Sequence, residues 1–219
     1  AIIALVLSGA AIFFDLGRPD RIFNMILYAQ FTSPMVWDMI ILGIYFVLCA
    51  GLLWASIKGN EKLAKTLAWI SIPAFVLVHS ITAWIFGLQK AQAGWHTAIL
   101  APLFIISALA SGLGMVIMAL LFTKKLWRSA QYQIDDTVIT DLGKYYKILL
   151  PVLFYFLFSE FITIAYAAVP EHSNVLSELF SGKFAGVFWF DMVLGIVIPF
   201  LLIMSSAGRS LTGVGFTGL

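Results

Sequence analysis

The sequence predicts an all-α protein, a polytopic transmembrane helical bundle. Its 219 residues are 62% hydrophobic and only 11% charged, where an ordinary soluble domain carries about 25% charge. Mean hydropathy is +1.00. The apolar residues are gathered into runs that reach or approach the about 20 residues a helix needs to cross a bilayer. These runs do not alternate apolar and polar positions, as strands of a membrane barrel would.

Six runs stand out, at 1–14, 34–57, 66–88, 97–122, 148–168 and 185–205. The first begins at Ala1 with no basic region or cleavage site before it, so the chain reads as an internal piece of a longer membrane protein. Basic residues orient the loops. Arg18, Arg21, Lys90 and Lys183 lie in the connections 15–33, 89–96 and 169–184, whereas the other nine Lys and Arg lie at 58–65, at 123–147 and in the C-terminal tail. Nine against four places the second set in the cytoplasm. The stretch 123–147, with Asp135, Asp136 and Asp141, reads as a solvated, partly helical connecting segment.

An internal repeat is visible as well. Pro19-Asp20 to Trp37-Asp38-Met39 recurs as Pro170-Glu171 to Phe190-Asp191-Met192, and the copies continue into Gly43-Ile44 and Gly195-Ile196. Residues 1–122 would then form a first four-helix bundle, 123–147 a cytoplasmic connection, and 148–219 part of a second, parallel bundle. On this reading, about two more spans follow Leu219.

Composition also excludes function classes. Thirteen Lys and Arg against eleven Asp and Glu leave a net charge of +2, too little and too dispersed for a nucleic-acid surface. The single cysteine, Cys49, sits in an apolar run. By itself it supports neither an internal disulfide nor an iron–sulfur cluster or cysteine-rich zinc site.

The informative residues interrupt the apolar runs. A charge at the centre of a span costs at least about 2.5–3.5 kcal/mol on insertion scales, so Asp38, His79, Glu160 and Asp191 each ask for a reason. With the orientation above, all four fall in the middle or outer part of the membrane. A group of protonatable residues at one depth, among Trp37, Trp84, Trp95, Tyr166 and Trp189, suits proton exchange with an apolar ring compound such as a quinone. Histidine has an ordinary pKa near 6.5, and a buried carboxylate is able to donate or accept. Each residue also has a plainer reading. His79 and Glu160 serve equally as hydrogen-bonded packing groups, Asp38 and Asp191 as charges at helix N-termini, and the Trp and Tyr residues as interface anchors.

Five strings come in one order: Asp15-Leu16-Gly17-Arg18-Pro19, SPMVWD at 33–38, HSITAW at 79–84, GWHTAILAPLF at 94–104 and YFLFSEFITIAY at 155–166. Together they resemble the NrfD/PsrC family of quinone-interacting membrane subunits. The resemblance implies two four-helix bundles in a prokaryotic cytoplasmic (inner) membrane, with no haem or iron–sulfur cluster on this chain. Electrons would pass between a quinone of menaquinone or ubiquinone type and an iron–sulfur subunit on the extracytoplasmic face, beside other membrane and catalytic subunits. Carried over string by string, His79 looks like the pocket histidine and Asp38 like the acid of SP-x-x-WD. Glu160 looks like a polar residue linked to proton movement, and Arg18 like a residue of the loop that meets the partner. Trp84, Trp95 and His96 would line the mouth of the site, with Asp191 and Tyr166 on the proton-transfer side of the second bundle. Ile85 departs from those relatives that carry an acid at this position, which leaves a proton route there in doubt.

Two other classes compete. A cytochrome b type subunit needs paired axial ligands on facing helices, yet His79 is the only histidine well inside a run. A secondary transporter or proton-conducting subunit fits the repeat and the buried acids, although transporter repeats are often inverted and carry broken helices.

Overall fold

A computed structural model describes residues 2–15, 17–89, 95–126, 135–167 and 170–204, and among these there is no strand. The helices are α1 (Ile2–Asp15), α2 (Asn24–Leu27), α3 (Pro34–Ile57), α4 (Glu61–Gly87), α5 (Leu100–Leu126), α6 (Asp136–Ala167), α7 (Pro170–Phe180), α8 (Ala185–Met192) and α9 (Ile198–Met204). A 3₁₀ turn at Pro19–Arg21 precedes α2, and a π turn at Val193–Val197 joins α8 to α9. Helices α3 to α6 are each long and apolar enough to cross a membrane. Two bent pairs, Ile2–Asp15 with Pro19–Leu27 and Asn174–Phe180 with Ala185–Leu201, bring the count to as many as six among the described residues. This is the all-α polytopic architecture that the apolar runs predict. The chain divides into two compact units, Ala1–Leu88 and Gln89–Leu219.

In the first unit α3 covers its apolar run from end to end. Pro34 opens the helix, where its fixed φ is already helical and its missing N–H costs nothing. Gly59, at φ 66°, turns the chain in the left-handed region that only glycine enters freely. Asn60 then caps α4, its side-chain oxygen accepting the Leu63 N–H at 3.1 Å. With the cap and Glu61 in its first turn, α4 starts in polar sequence ahead of the run at 66. The α3–α4 seam is built from Ile41, Val78 and Ile81, backed by Leu42 and Tyr45. Lipid tails are as apolar as leucine, so close packing rather than water exclusion drives the pairing. Small residues make it possible: Ala55 and Ala83 are fully buried, and a Cβ on Gly51 would stand 3.3 Å from Leu67 Cδ1.

In the second unit α5 and α6 form a hairpin around Ala110, Ile117, Ile139, Tyr146, Leu150 and Leu153. Helix α6 begins well ahead of the run at 148 because its polar first turns are held locally. The Asp135 carboxylate accepts the Thr137 N–H at 3.0 Å, Lys124 pairs with Asp136, and Lys144 pairs with Asp141 at 2.7 Å. Further on, the rings of Phe161, Phe180, Phe188 and Trp189 stack edge to face and tilted, with centroids 5.2–5.7 Å apart, tying α6 to α7 and α8. The α7–α8 bend of 69° passes Gly182, where a Cβ would lie 2.6 Å from Glu178 Cα. Each unit also has an indole bonded back to the segment before its helix. Trp37 Nε1 donates to the Phe31 carbonyl and Trp189 Nε1 to the Phe180 carbonyl, so an indole latches the lead-in segment to the span that follows.

Leu150 is 1% exposed at the centre of the α5–α6 core. Leu150→Ala is expected to cost about 2 kcal/mol or more in cavity and lost contacts, read as a lower thermal midpoint in detergent. The amide bond from Thr137 holds the Asp135 carboxyl below the usual carboxylate range. Its capping is therefore complete above the ordinary carboxylate pKa and is lost as pH falls through the depressed value. Hydrogen-exchange protection at Thr137 and Val138 should drop at acid pH in the native chain, and be low at every pH in Asp135→Ala.

Candidate functional site

Packing α3 against α4 brings Asp38 to Thr82. The Thr82 hydroxyl lies 2.6 Å from Asp38 Oδ1 and 2.9 Å from the Val78 carbonyl of its own helix. Asp38 sits one turn before Ile41 on the face that meets α4, and Thr82 follows Val78 and Ile81 on the face that meets α3. Both side chains are half-buried. The carboxylate therefore stands at the edge of the apolar seam, bonded to a hydroxyl across it.

His79 lies one turn before Thr82 on α4, and residues three apart on a helix have Cβ atoms about 5–6 Å apart. Its Nδ1 is 2.9 Å from the Phe75 carbonyl, and the imidazole lies against the Phe75 ring with centroids 4.3 Å apart. A carbonyl oxygen has no hydrogen to give, so Nδ1 carries the proton. In the neutral ring Nε2 is then the acceptor. No side-chain nitrogen or oxygen among the described residues is both buried and unbonded. With Nδ1 donating, Nε2 is the ring nitrogen left to accept. The same helix turn thus offers an imidazole acceptor and a hydroxyl-bound carboxylate.

The second unit holds a separate pair. Glu160 on α6 is 7% exposed, and its Oε2 accepts the Thr97 hydroxyl at 3.0 Å. Thr97 Oγ1 in turn accepts the Ile99 N–H at 3.2 Å, which directs the hydroxyl hydrogen toward the carboxylate. Asp191 is exposed on α8, directly before the π turn, with its Oδ1 3.5 Å from where a Gly195 Cβ would stand.

Each group is located by the end of its own helix. Asp38 is four residues after Pro34 and His79 eight before Gly87, about 6 and 12 Å along their helices. Glu160 is seven residues before Ala167 and Asp191 six after Ala185, about 10 and 9 Å.

The remaining candidates stand apart from these pairs. Trp84 is half-exposed and projects about 140° around α4 from His79, at 100° per residue. Arg18 is exposed and pairs with Asp20 at 3.4 Å. Trp95 and His96 lie in the second unit, on the approach to α5, and both are exposed. Tyr166 is 91% exposed near the end of α6. Among the described residues no three of His, Cys, Asp and Glu gather closely enough to hold a metal ion.

Three partners escape a reading of the sequence alone: Thr82, Thr97 and the Phe75 carbonyl. Thr82 was within reach, since it lies three residues after His79 in the HSITAW string and so shares its helix surface. Thr97 precedes α5 in irregular backbone and carries no periodic signal.

The family model for polysulphide reductase, NrfD, matches residues 1–213. The chain belongs to the NrfD family. Among its relatives, a protein of Halobacterium salinarum named as a dimethyl sulfoxide reductase membrane subunit is 30% identical over 97% of this chain and 53% of its own length. The Hdr-like menaquinol oxidoreductase integral membrane subunit of Archaeoglobus fulgidus is 30% identical over 100% of this chain and 54% of its own length. A selenate reductase subunit of Mesobacillus selenatarsenatis is 24% identical over 94% and 56%. The chain spans about half the length of these relatives. With its apolar helices, this NrfD chain is an integral, multi-pass membrane protein.

Removing the Thr97 hydroxyl leaves the Glu160 carboxyl buried without its donor, a loss of about 1–3 kcal/mol for an orphaned group. Thr97→Val should therefore lower the thermal midpoint in detergent, whereas Glu160→Gln, which keeps an acceptor for Thr97, should lower it less. Equal losses in the two variants would show that the hydrogen bond contributes little.

Proposed function

We propose that this chain belongs to the membrane subunit of a respiratory oxidoreductase complex and binds quinone or quinol beside His79 and Asp38. It would exchange electrons with an iron–sulfur partner subunit on the extracytoplasmic face, with coupled proton release or uptake. The observation that carries the proposal is the contact of His79 Nδ1 with the Phe75 carbonyl. Nδ1 is engaged by the Phe75 carbonyl, which leaves Nε2 as the ring's acceptor, one helix turn from the Asp38–Thr82 pair.

A quinol presents two hydroxyls on an apolar ring, and its oxidation releases two protons with two electrons. Within this unit His79 Nε2 accepts a hydrogen bond and then a proton from one hydroxyl. Asp38 takes the second or passes it outward, held by Thr82 while it does so. The exposed apolar side chain of Trp37, the residue before Asp38, suits a ring and its lipid-like tail.

Chain connectivity supports an outer location. If α3, α4, α5 and α6 each cross once, the start of α3, the end of α4 and the end of α6 all open on one side, and the uneven distribution of Lys and Arg makes that side extracytoplasmic. The relatives' names, as subunits of dimethyl sulfoxide, selenate and menaquinol oxidoreductases, favour a redox complex in the prokaryotic inner membrane over a transporter. Glu160, with Thr97, is proposed as a proton-conducting group, along with Asp191 and Tyr166. The division into a first bundle at 1–122, a connection at 123–147 and a partial second bundle belongs to the same proposal. So do the partner-facing role of Arg18 and the lining roles of Trp84, Trp95 and His96, which rest on strings shared with the family.

His79→Ala in the assembled complex is expected to lower quinol-dependent electron transfer about a hundredfold or more, the usual weight of a positioned base, and to shift the titration of a quinone-site inhibitor. An unchanged rate with an unchanged titration contradicts the assignment.

A further inference from the structure

We propose that Thr82 is a positioning residue that keeps Asp38 hydrogen-bonded in both of its protonation states. Thr82 has this role only if Asp38 exchanges protons at the site proposed above. A hydroxyl has one hydrogen to give and two lone pairs with which to accept, yet Thr82 Oγ1 stands within bonding distance of two acceptors, Asp38 Oδ1 at 2.6 Å and the Val78 carbonyl at 2.9 Å. The geometry therefore has two complete solutions. With Asp38 ionised, the Thr82 hydrogen points across the seam to the carboxylate. With Asp38 protonated, the carboxyl hydrogen points to Thr82 Oγ1 and the Thr82 hydrogen turns to the Val78 carbonyl. One rotation of the hydroxyl interconverts them, and in neither state is the Asp38–Thr82 contact left without a hydrogen.

Where water is scarce, an unmade bond to a charged group is the large cost. A carboxylate that loads and releases a proton beside lipid would otherwise lose a partner in one of its states and swing away. Thr82 removes that penalty, so the Asp38 side chain stays at the α3–α4 seam, one turn from His79, throughout. Val78 is 7% exposed and packs in the seam, which fixes the carbonyl-bearing turn.

Among the described residues of this unit, the charged groups of the segment that leads into α3 are Arg18, Asp20 and Arg21, all exposed. Helix α3 packs against α4 and α1. On α4 the titratable group at this level is His79, while Glu61, Lys62 and Lys65 lie at the far end of the helix. Helix α1 carries only Asp15, at its end, and α3 itself carries Tyr45 and Cys49 deeper along it.

The test is quinol oxidation in the assembled complex with a short-tailed naphthoquinol as donor, comparing Thr82→Val, Thr82→Ser, Asp38→Asn and His79→Gln across pH. Thr82→Val keeps the shape and removes the hydroxyl. It should lose roughly ten- to a hundredfold in kcat, the weight of a hydrogen bond to a charged group, with KM little changed and the acid limb of the pH–rate profile moved to higher pH. Thr82→Ser should restore both the rate and the profile. In the Asp38→Asn background Thr82→Val should have no further effect on the profile. If Thr82→Val does not assemble, Thr82→Cys takes its place, with a weaker donor and an intermediate effect expected. A native rate and profile in Thr82→Val, or equal losses in Thr82→Val and Thr82→Ser, overturns the positioning role. A native rate in His79→Gln instead overturns the site itself, which separates the two failures.

Discussion

Inside a bilayer a polar side chain has no water to bond to, and this one constraint organises the chain. A charge or hydroxyl in a span persists only where a neighbouring group completes its hydrogen bonds. The described residues obey this closely: no buried side-chain nitrogen or oxygen among them lacks a partner. Ser and Thr hydroxyls along the spans mostly return to carbonyls of the preceding turn, as at Ser56, Thr66, Ser159 and Thr163. Two threonines do more. Thr82 and Thr97 reach carboxylates on other elements of their own units, and these carboxylates are two of the acids that interrupt the apolar runs.

Helix packing and site chemistry are consequently one problem. Ile41, Val78 and Ile81 set the distance between α3 and α4, and that distance decides whether Thr82 spans the gap to Asp38. Lipid offers no hydrophobic drive to hold the pair together, so small residues along the seam, Gly51, Ala55 and Ala83, carry the close approach. His79 depends on its helix in a different way. The carbonyl four residues earlier selects its tautomer, so a backbone bond within α4 determines which ring nitrogen is left to accept. The two units use different hydroxyl arrangements. Thr97 is oriented by an N–H and donates one way, whereas Thr82 has two acceptors and is able to turn.

Much of the fold was legible in the residues. The run at 34–57 became α3 without a residue's difference, because Pro34 starts it and Gly59 ends the apolar stretch. Helices α4 and α6 start earlier than their apolar runs, at Glu61 and Asp136, since caps and ion pairs extend a helix into polar sequence where hydropathy is silent. The candidate groups of the two units were legible only in their expensive members. Asp38, His79 and Glu160 announce themselves because burying them is costly. Thr82 does not, because a threonine in a span satisfies itself on its own helix at little cost, and Thr97 does not, because it precedes α5 in irregular backbone. Only the three-dimensional packing distinguishes a threonine that bonds backward from one that bonds across. The Phe75 carbonyl is beyond any reading of side chains, although the His79 chemistry turns on it.

Quinol binding beside α4 stands or falls with the protonation pattern of His79. ¹⁵N magic-angle-spinning NMR of histidine-labelled chain in lipid, with His79 assigned through His79→Gln, reads it directly. The expected result is a neutral ring with the proton on Nδ1 and a bare Nε2, whose resonance moves when a naphthoquinol is added. A neutral ring protonated on Nε2, or an Nε2 resonance indifferent to the quinol, would contradict it.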